Sequence, residues 1–242
     1  MELSPDSTIL WQWGPLRLNA TIVFTWIVMA VLSVGSWIVT RRLTEEGKMS
    51  RRRNLLETLV TFLNEQIRST SRQEPGRYLP FIGTLFLFIA VSNSLEIIPG
   101  FHPPTGSIST TAALAICVFI AVPFYGILQK GIFGYLKHYV KPSVFMAPFE
   151  IIGEFSRTLA LAVRLYGNIM SGTIIVGILL SIAPLFFPIV MQVLGLLIGL
   201  IQAYIFAVLA MVYIASATTA HKKGDEENGQ SDRPKAEGWT KS

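Results

Sequence analysis

The chain has 242 residues, of which 51% are hydrophobic and 14% charged, with a formal net charge of +5. That apolar content exceeds what one soluble core of this length needs, and the chain reads as an integral membrane protein. Its single cysteine, Cys117, lies in an apolar run, so neither a disulfide framework nor a cysteine metal site is available within the chain. The basic residues cluster beside the apolar spans without interleaved aromatics, which points to membrane orientation and away from nucleic acid.

The first 17 residues carry Glu2 and Asp6 and no basic n-region, so the apolar segment after them is expected to be a retained span, with 1–17 as an outer N-terminal segment. Apolar runs of about 20 residues can cross a hydrocarbon core of about 30 Å. Three such runs are Leu18 to Val39, Tyr78 to Ile98 with Glu96 near its end, and Thr111 to Gln129. Between the first two, RRRNLLETLVTFLNEQIRS places Leu55, Leu59, Phe62, Leu63 and Ile67 at helical spacing with charges on the other faces. An amphipathic cytoplasmic helix near the headgroups is expected there.

From Leu165 to Ala220 the chain contains no Lys, Arg, Asp or Glu, and SIAPLFFPIV interrupts this stretch with Pro184 and Pro188. The prolines predict a turn between two long helices. The first arm, from about Ala147 to Ala183, would be roughly 55 Å long, beyond the bilayer thickness, so it must tilt steeply, kink or project. The tail HKKGDEENGQSDRPKAEGWTKS is polar, Gly-rich and mixed in sign, and is expected to be disordered. Residues 18–220 then form a single membrane domain and residues 221–242 a cytoplasmic tail.

Nine arginines and lysines between Thr40 and Arg77, together with Lys130, Lys137 and Lys141, mark cytoplasmic connections, whereas GFHPPTGSIS and the Pro184 to Pro188 turn carry none. Five spans then leave the N-terminus outside and the C-terminus in the cytoplasm. The expected fold is an all-α polytopic membrane protein with about five spans, including a C-terminal hairpin of two long, steeply tilted helices, plus a cytoplasmic amphipathic helix. No phosphate-binding loop or nucleotide motif occurs, so any ATP chemistry belongs to another chain, and no cofactor or resident metal is expected.

The stretch LALAVRLYGNIMSG keeps one arginine, Arg164, inside the first long arm. On a helix, Glu150, Arg157, Ala160, Asn168 and Ser171 all fall within about 40° of it, while Leu159 and Tyr166 face away. An arginine at the bilayer centre costs about 2.5 to 3.5 kcal/mol on insertion scales. It can be compensated by a nearby carboxylate or by snorkelling to headgroups. As a permanent charge it suits a barrier or a carboxylate partner better than a proton relay. In the second arm, Gln202 shares a face with Gly195, Phe206, Leu209 and Tyr213, and Gly195 and Gly199 form a small-xxx-small pair. Gln202 can hydrogen-bond across the hairpin; on geometry alone a helix–helix amide contact with no transport role fits equally well.

Arg164-Leu165-Tyr166-Gly167-Asn168, Gln202-Ala203-Tyr204-Ile205-Phe206, the loop IIPGFHPPTG and His221 together resemble the a subunit of F-type ATP synthases, in segment order over roughly residues 18 to 221. The resemblance implies an ion-translocating stator with two half-channels, beside a rotating c-ring whose carboxylates carry H+ or Na+. It implies as partners the c-ring, the b subunit of the peripheral stalk, the other synthase subunits and membrane lipid, in a bacterial inner membrane, with no ATP catalysis in this chain itself. Arg164 matches the family's essential arginine, and Asn168 and Gln202 match polar positions near it. Glu150 matches an acid of the cytoplasmic half-channel. Asn93 and Glu96 match a polar pair of the outer half-channel, although Glu96 also fits an interfacial cap. Arg157 matches a basic position that fits a lipid-facing or ion-pair role equally well.

Two positions depart from the pattern. Where many members carry ionisable groups, this chain has Thr173, nine residues after the arginine, and Gly195, seven before the glutamine. Either Glu96 and ordered water replace that outer relay, or the coupling ion is sodium, held transiently by neutral oxygens. An autonomous secondary transporter or channel would also use intramembrane polar groups, but no inverted repeat is evident. A structural scaffold would explain the helices but not the polar alignment.

Overall fold

In a hydrocarbon environment a backbone must satisfy its own hydrogen bonds, which makes helices the default for each apolar run. The computed structural model describes residues 9–13, 16–41, 51–71, 74–98, 100–140, 147–182 and 187–219. In chain order these are strands β1 (Ile9–Trp13) and β2 (Leu16–Asn19), then helices α1 (Ala20–Arg41), α2 (Arg51–Ser71), α3 (Leu79–Ser94), α4 (Ile108–Val140), α5 (Ala147–Ile182) and α6 (Phe187–Thr219). Five of them contain segments long and apolar enough to cross a membrane: Ala20–Ile38, Leu79–Ile97, Ile108–Gln129, Ile151–Ser181 and Ile189–Thr218. The molecule is an all-α polytopic membrane protein, and the antiparallel pair β1–β2 is its only sheet among the described residues.

The expected spans shift at their ends for local reasons. The first helix starts at Ala20 because Leu18 pairs with Trp11 and Asn19 with Ile9 in the hairpin. Pro80 sits in the first turn of α3, where a missing N–H costs nothing, and the span closes with a 3₁₀ turn at Leu95–Ile97. The third helix runs beyond Gln129, but Gly131 adopts φ 73° and ψ 163°, which ends the straight segment. Only glycine takes that conformation without strain. The predicted break between the two long arms falls between Ile182 and Phe187; the turn itself and the 221–242 tail lie outside the described residues.

Helix α6 is the hub. It packs most extensively on α3, and also on α4, α5 and α2. Its buried face carries Ala203, Phe206, Ala207, Ala210 and Ile214, and the alanines let neighbouring backbones approach closely. Ile89 of α3, Val118 of α4 and Leu165 of α5 close the same core. By contrast α1 buries little beyond Ala20, Thr21 and Val28, and shows Trp26, Met29, Val34 and Trp37 outward.

One expectation changes. The amphipathic helix α2 does not rest its apolar face on lipid alone, because Leu63 and Ile67 are buried within the protein and α2 packs on α3 and α6. The Tyr204 hydroxyl donates to Gln66 Oε1 at 2.8 Å, with the Phe62 and Tyr204 rings 5.9 Å apart. The connection GFHPPTGSIS, which the sequence placed only by its lack of basic residues, is partly buried. Pro103 to Ser107 are all buried, folded back between α3, α4, α5 and α1, and Phe101 stacks edge-on against Phe24 at 4.9 Å.

Candidate functional site

Helix α5 supplies the charged face. Its 36 residues span about 54 Å, so it exceeds a bilayer of about 30 Å and must tilt or project. Leu161, Ala162, Leu165 and Ile169 are buried against the bundle. They lie about 60° to 160° around the axis from Arg164, and the polar stripe therefore falls on the uncovered side. Arg157, Ala160, Arg164, Gly167 and Ser171 are exposed, and Asn168 is half-buried. A Cβ at Gly153 or Gly167 would meet nothing within 4 Å. Arg157 lies 6.0 Å from the centre of the Tyr213 ring, a cation–π distance. Glu150 belongs to the first turns of α5, but its side chain lies outside the described residues.

The two departures from the family pattern contribute little in place of the relay. The Thr173 hydroxyl donates to Ile169 O of its own helix at 3.0 Å. Gly195 offers open space, with nothing within 4 Å of a Cβ built there. Gln202 is 6% exposed, yet its Nε2 has no hydrogen-bond partner among the described residues. That nitrogen makes no bond across the hairpin among the described residues, and the amide sits buried in the seam that α6 makes with the bundle. Among the described residues Arg164, Gln202 and Asn93 are not hydrogen-bonded to one another.

The C-terminal end of α3 is built differently. Asn93 is 1% exposed and Thr105 fully buried. Asn93 Nδ2 donates to Gly199 O of α6 at 2.8 Å, and the Thr105 hydroxyl donates to Asn93 Oδ1 at 2.7 Å. One amide thus ties α3, the re-entrant loop and α6 together. A Cβ on Gly199 would stand 2.8 Å from Asn93 Cβ, so Gly199 is required by the approach of the two helices, one turn from Gln202. Glu96 follows in the 3₁₀ turn and is half-buried; its carbonyl and that of Ile97 accept from Gln192 Nε2 at 3.4 Å. The loop was read from the sequence as a connection, and its glycine and prolines gave no sign that Thr105 would reach back to Asn93.

One polar cleft escaped the sequence reading. Between α4, α5 and α6, Glu154, Arg157, Thr158, Tyr213 and Ser216 line a hollow of about 20 Å³, closed on the α4 side by Val118 and Val122. Glu154 lies about 80° from Arg164 around the helix, outside the stripe within about 40° that drew attention to its neighbours. A carboxylate toward the packed side of a membrane helix was the signal that could have found it.

The fold and these sites define a multi-pass membrane protein that keeps a permanent positive charge on an uncovered helix face. The family model for the ATP synthase A chain matches residues 22–215. The chain is 62% identical over 232 residues to ATP synthase subunit a 2 of Acaryochloris marina, covering 96% of this chain and 97% of that one. It is 60% identical over 226 residues to ATP synthase subunit a of Albidiferax ferrireducens, covering 93% and 98%. Against subunit a of Nitrosospira multiformis it is 53% identical over 234 residues, covering 95% and 93%. The chain belongs to the ATP synthase A chain family. Its role is that of the ion-translocating stator of the membrane sector, within an F-type ATP synthase complex.

Proposed function

We propose that Arg164 works against the ion-carrying carboxylates of a c-ring seated on the uncovered face of α5. The observation that carries this reading is the exposure of Arg164 beside Arg157, Ala160 and Ser171 on a helix whose opposite side is packed. A fixed guanidinium at that point favours the ionised form of a rotor carboxylate as it passes. It also opposes direct passage of a cation between the two half-channels, so leakage is resisted while rotation is driven. The small residues Ala160 and Gly167 allow the rotor helix to come close. Asn168, half-buried on the same stripe, and Gln202, with its buried amide, order the region around the arginine.

The inner route opens near Glu150 and the outer route near Asn93 and Glu96. With Thr173 bonded to its own helix and Gly195 bare, the outer route depends on Glu96, amide and hydroxyl groups and water, and the carried ion is H+ or Na+. Residues 18–220 act as one membrane domain, with residues 1–17 and the loop at Pro103–Ser107 on the outer side. The basic segments after α1 and α4 and the 221–242 tail face the cytoplasm of a bacterial inner membrane. The b subunit of the peripheral stalk holds the chain against rotation.

The test is Arg164→Ala in the assembled complex. Ion-coupled ATP synthesis is expected to vanish with the complex still assembled, and normal coupled synthesis would overturn the reading. ATP-driven transport measured across a sodium titration with a protonophore present identifies the ion. Pumping that is sodium-independent and collapses with the protonophore assigns H+.

A further inference from the structure

Glu154 has no part in the scheme above, yet its surroundings suit a carrier of protons. A carboxylate at membrane depth is costly and marks ion paths more often than it stabilises a bundle. Its cleft of about 20 Å³ exceeds the roughly 10–15 Å³ that a water requires. Two hydroxyls at the cleft already spend their hydrogens on their own helices: Thr158 Oγ1 donates to Glu154 O at 3.0 Å, and Ser216 Oγ donates to Tyr213 O at 2.8 Å. Their lone pairs are left to accept from water, which needs two to four polar partners to be held. The charged and titratable groups facing this space are Arg157 from α5 and Tyr213 from α6, while α4 presents only Val118 and Val122. The permanent charge of Arg157 opposes residence of Na+ but not the exchange of a proton along water.

We infer that this cleft is the inner mouth of a proton path and that Glu154 is its relay carboxylate. A rotor carboxyl loses its proton to cleft water as that water passes one to the Glu154 carboxylate. Glu154 then returns the proton to cytoplasmic water and is ionised again, so charge and protons balance over the cycle. The inference rests on the rotary reading of Arg164 and adds a second acid one turn along α5 from Glu150, about 40° further round the helix toward the packed side.

The experiment uses the whole complex in inverted membrane vesicles, in a Cys117→Ser background. Glu154→Gln is expected to lower both ATP-driven proton pumping and passive proton conduction through the F1-stripped membrane sector at least tenfold at neutral pH. Glu154→Asp is expected to keep at least half of each. Ser216→Cys and Thr158→Cys should each make pumping sensitive to Ag+ added from the cytoplasmic side, by fivefold or more, whereas Leu197→Cys, on the exposed face of α6, should not. Wild-type conduction in Glu154→Gln, equal loss in the Asp and Gln variants, or Cys variants indifferent to Ag+ would overturn the proposal. Sodium-dependent transport that survives a protonophore would overturn the proton assignment. Should Glu154→Gln fail to assemble, the Ag+ result decides. If Arg164→Ala is uncoupled while Glu154→Gln conducts normally, only the inner route is wrong; if Arg164→Ala stays coupled, the rotary reading itself falls.

Discussion

The corner at Asn93 and the stripe at Arg164 both place polar side chains in apolar helices, and they resolve the cost in opposite ways. Asn93 is buried to 1% exposure and engages both ends of its amide, with Gly199 O and with Thr105. Arg164 is exposed and, among the described residues, has no side-chain hydrogen bond or ion pair. A buried polar group left unmade costs about 1–3 kcal/mol, and the corner meets that cost with partners inside the chain. In the proposed reading the charge on α5 finds its partner outside the chain. On the same reading, the satisfied amide holds the walls beside the outer route, and the uncovered face of α5 is the surface turned to the rotor.

The largest expected effect tests the working surface. Arg164→Ala should reduce coupled synthesis more than a hundredfold, while leaving the thermal stability of the assembled complex within about 0.5 kcal/mol, as for surface positions generally. A matching loss of stability would mean that the arginine is structural and erase the contrast with Asn93.

The next effect runs the other way. Gly199→Ala must displace Asn93, whose Cβ would lie 2.8 Å from the new methyl. Overpacking of this kind costs about 1–3 kcal/mol, and a lower melting temperature with reduced assembly should be seen in detergent-solubilised complex. Asn93→Ala should destabilise by about 1–3 kcal/mol through the lost partners of Thr105 and Gly199. Thr105→Val in the Asn93→Ala background should then add little, because the two share one network; additive losses would show that they act separately.

The smallest effect belongs to the packing of α2. Tyr204→Phe removes the hydroxyl that donates to Gln66 at 2.8 Å while keeping the ring against Phe62. A loss of about 0.5–1.5 kcal/mol with coupling unchanged is expected from thermal melting and ATP-driven pumping on the same preparation.

Much of the fold was legible because membrane helices must satisfy their own backbones, so the apolar runs forecast α1, α3, α5 and α6 to within a few residues and the start of α4 likewise, while α4 continues to Val140 past the forecast end at Gln129. Gly131 was the exception on α4: a positive φ is a property of the path the chain takes, and a glycine in an apolar pattern is compatible with an unbroken helix too. The Arg164 stripe was legible for a similar reason, since helical spacing alone puts residues 157, 160, 164, 168 and 171 on one face. The burial of Leu63 and Ile67 against α3 and α6, where a headgroup-lying helix was expected, was not legible, because an amphipathic pattern reports an apolar face and not what covers it.

What the sequence determined by itself was local: where helices run, which side chains share a face, and that one permanent charge sits among apolar neighbours. Tertiary structure decided which faces are covered. Asn93 meets Gly199 across 106 residues of chain, the loop at Thr105 returns into the bundle, and Glu154 joins a cleft whose other walls come from α4 and α6. Helical periodicity fixes angle about a single axis, but contact between helices depends on how those axes pack, and that is set by all the buried surfaces at once.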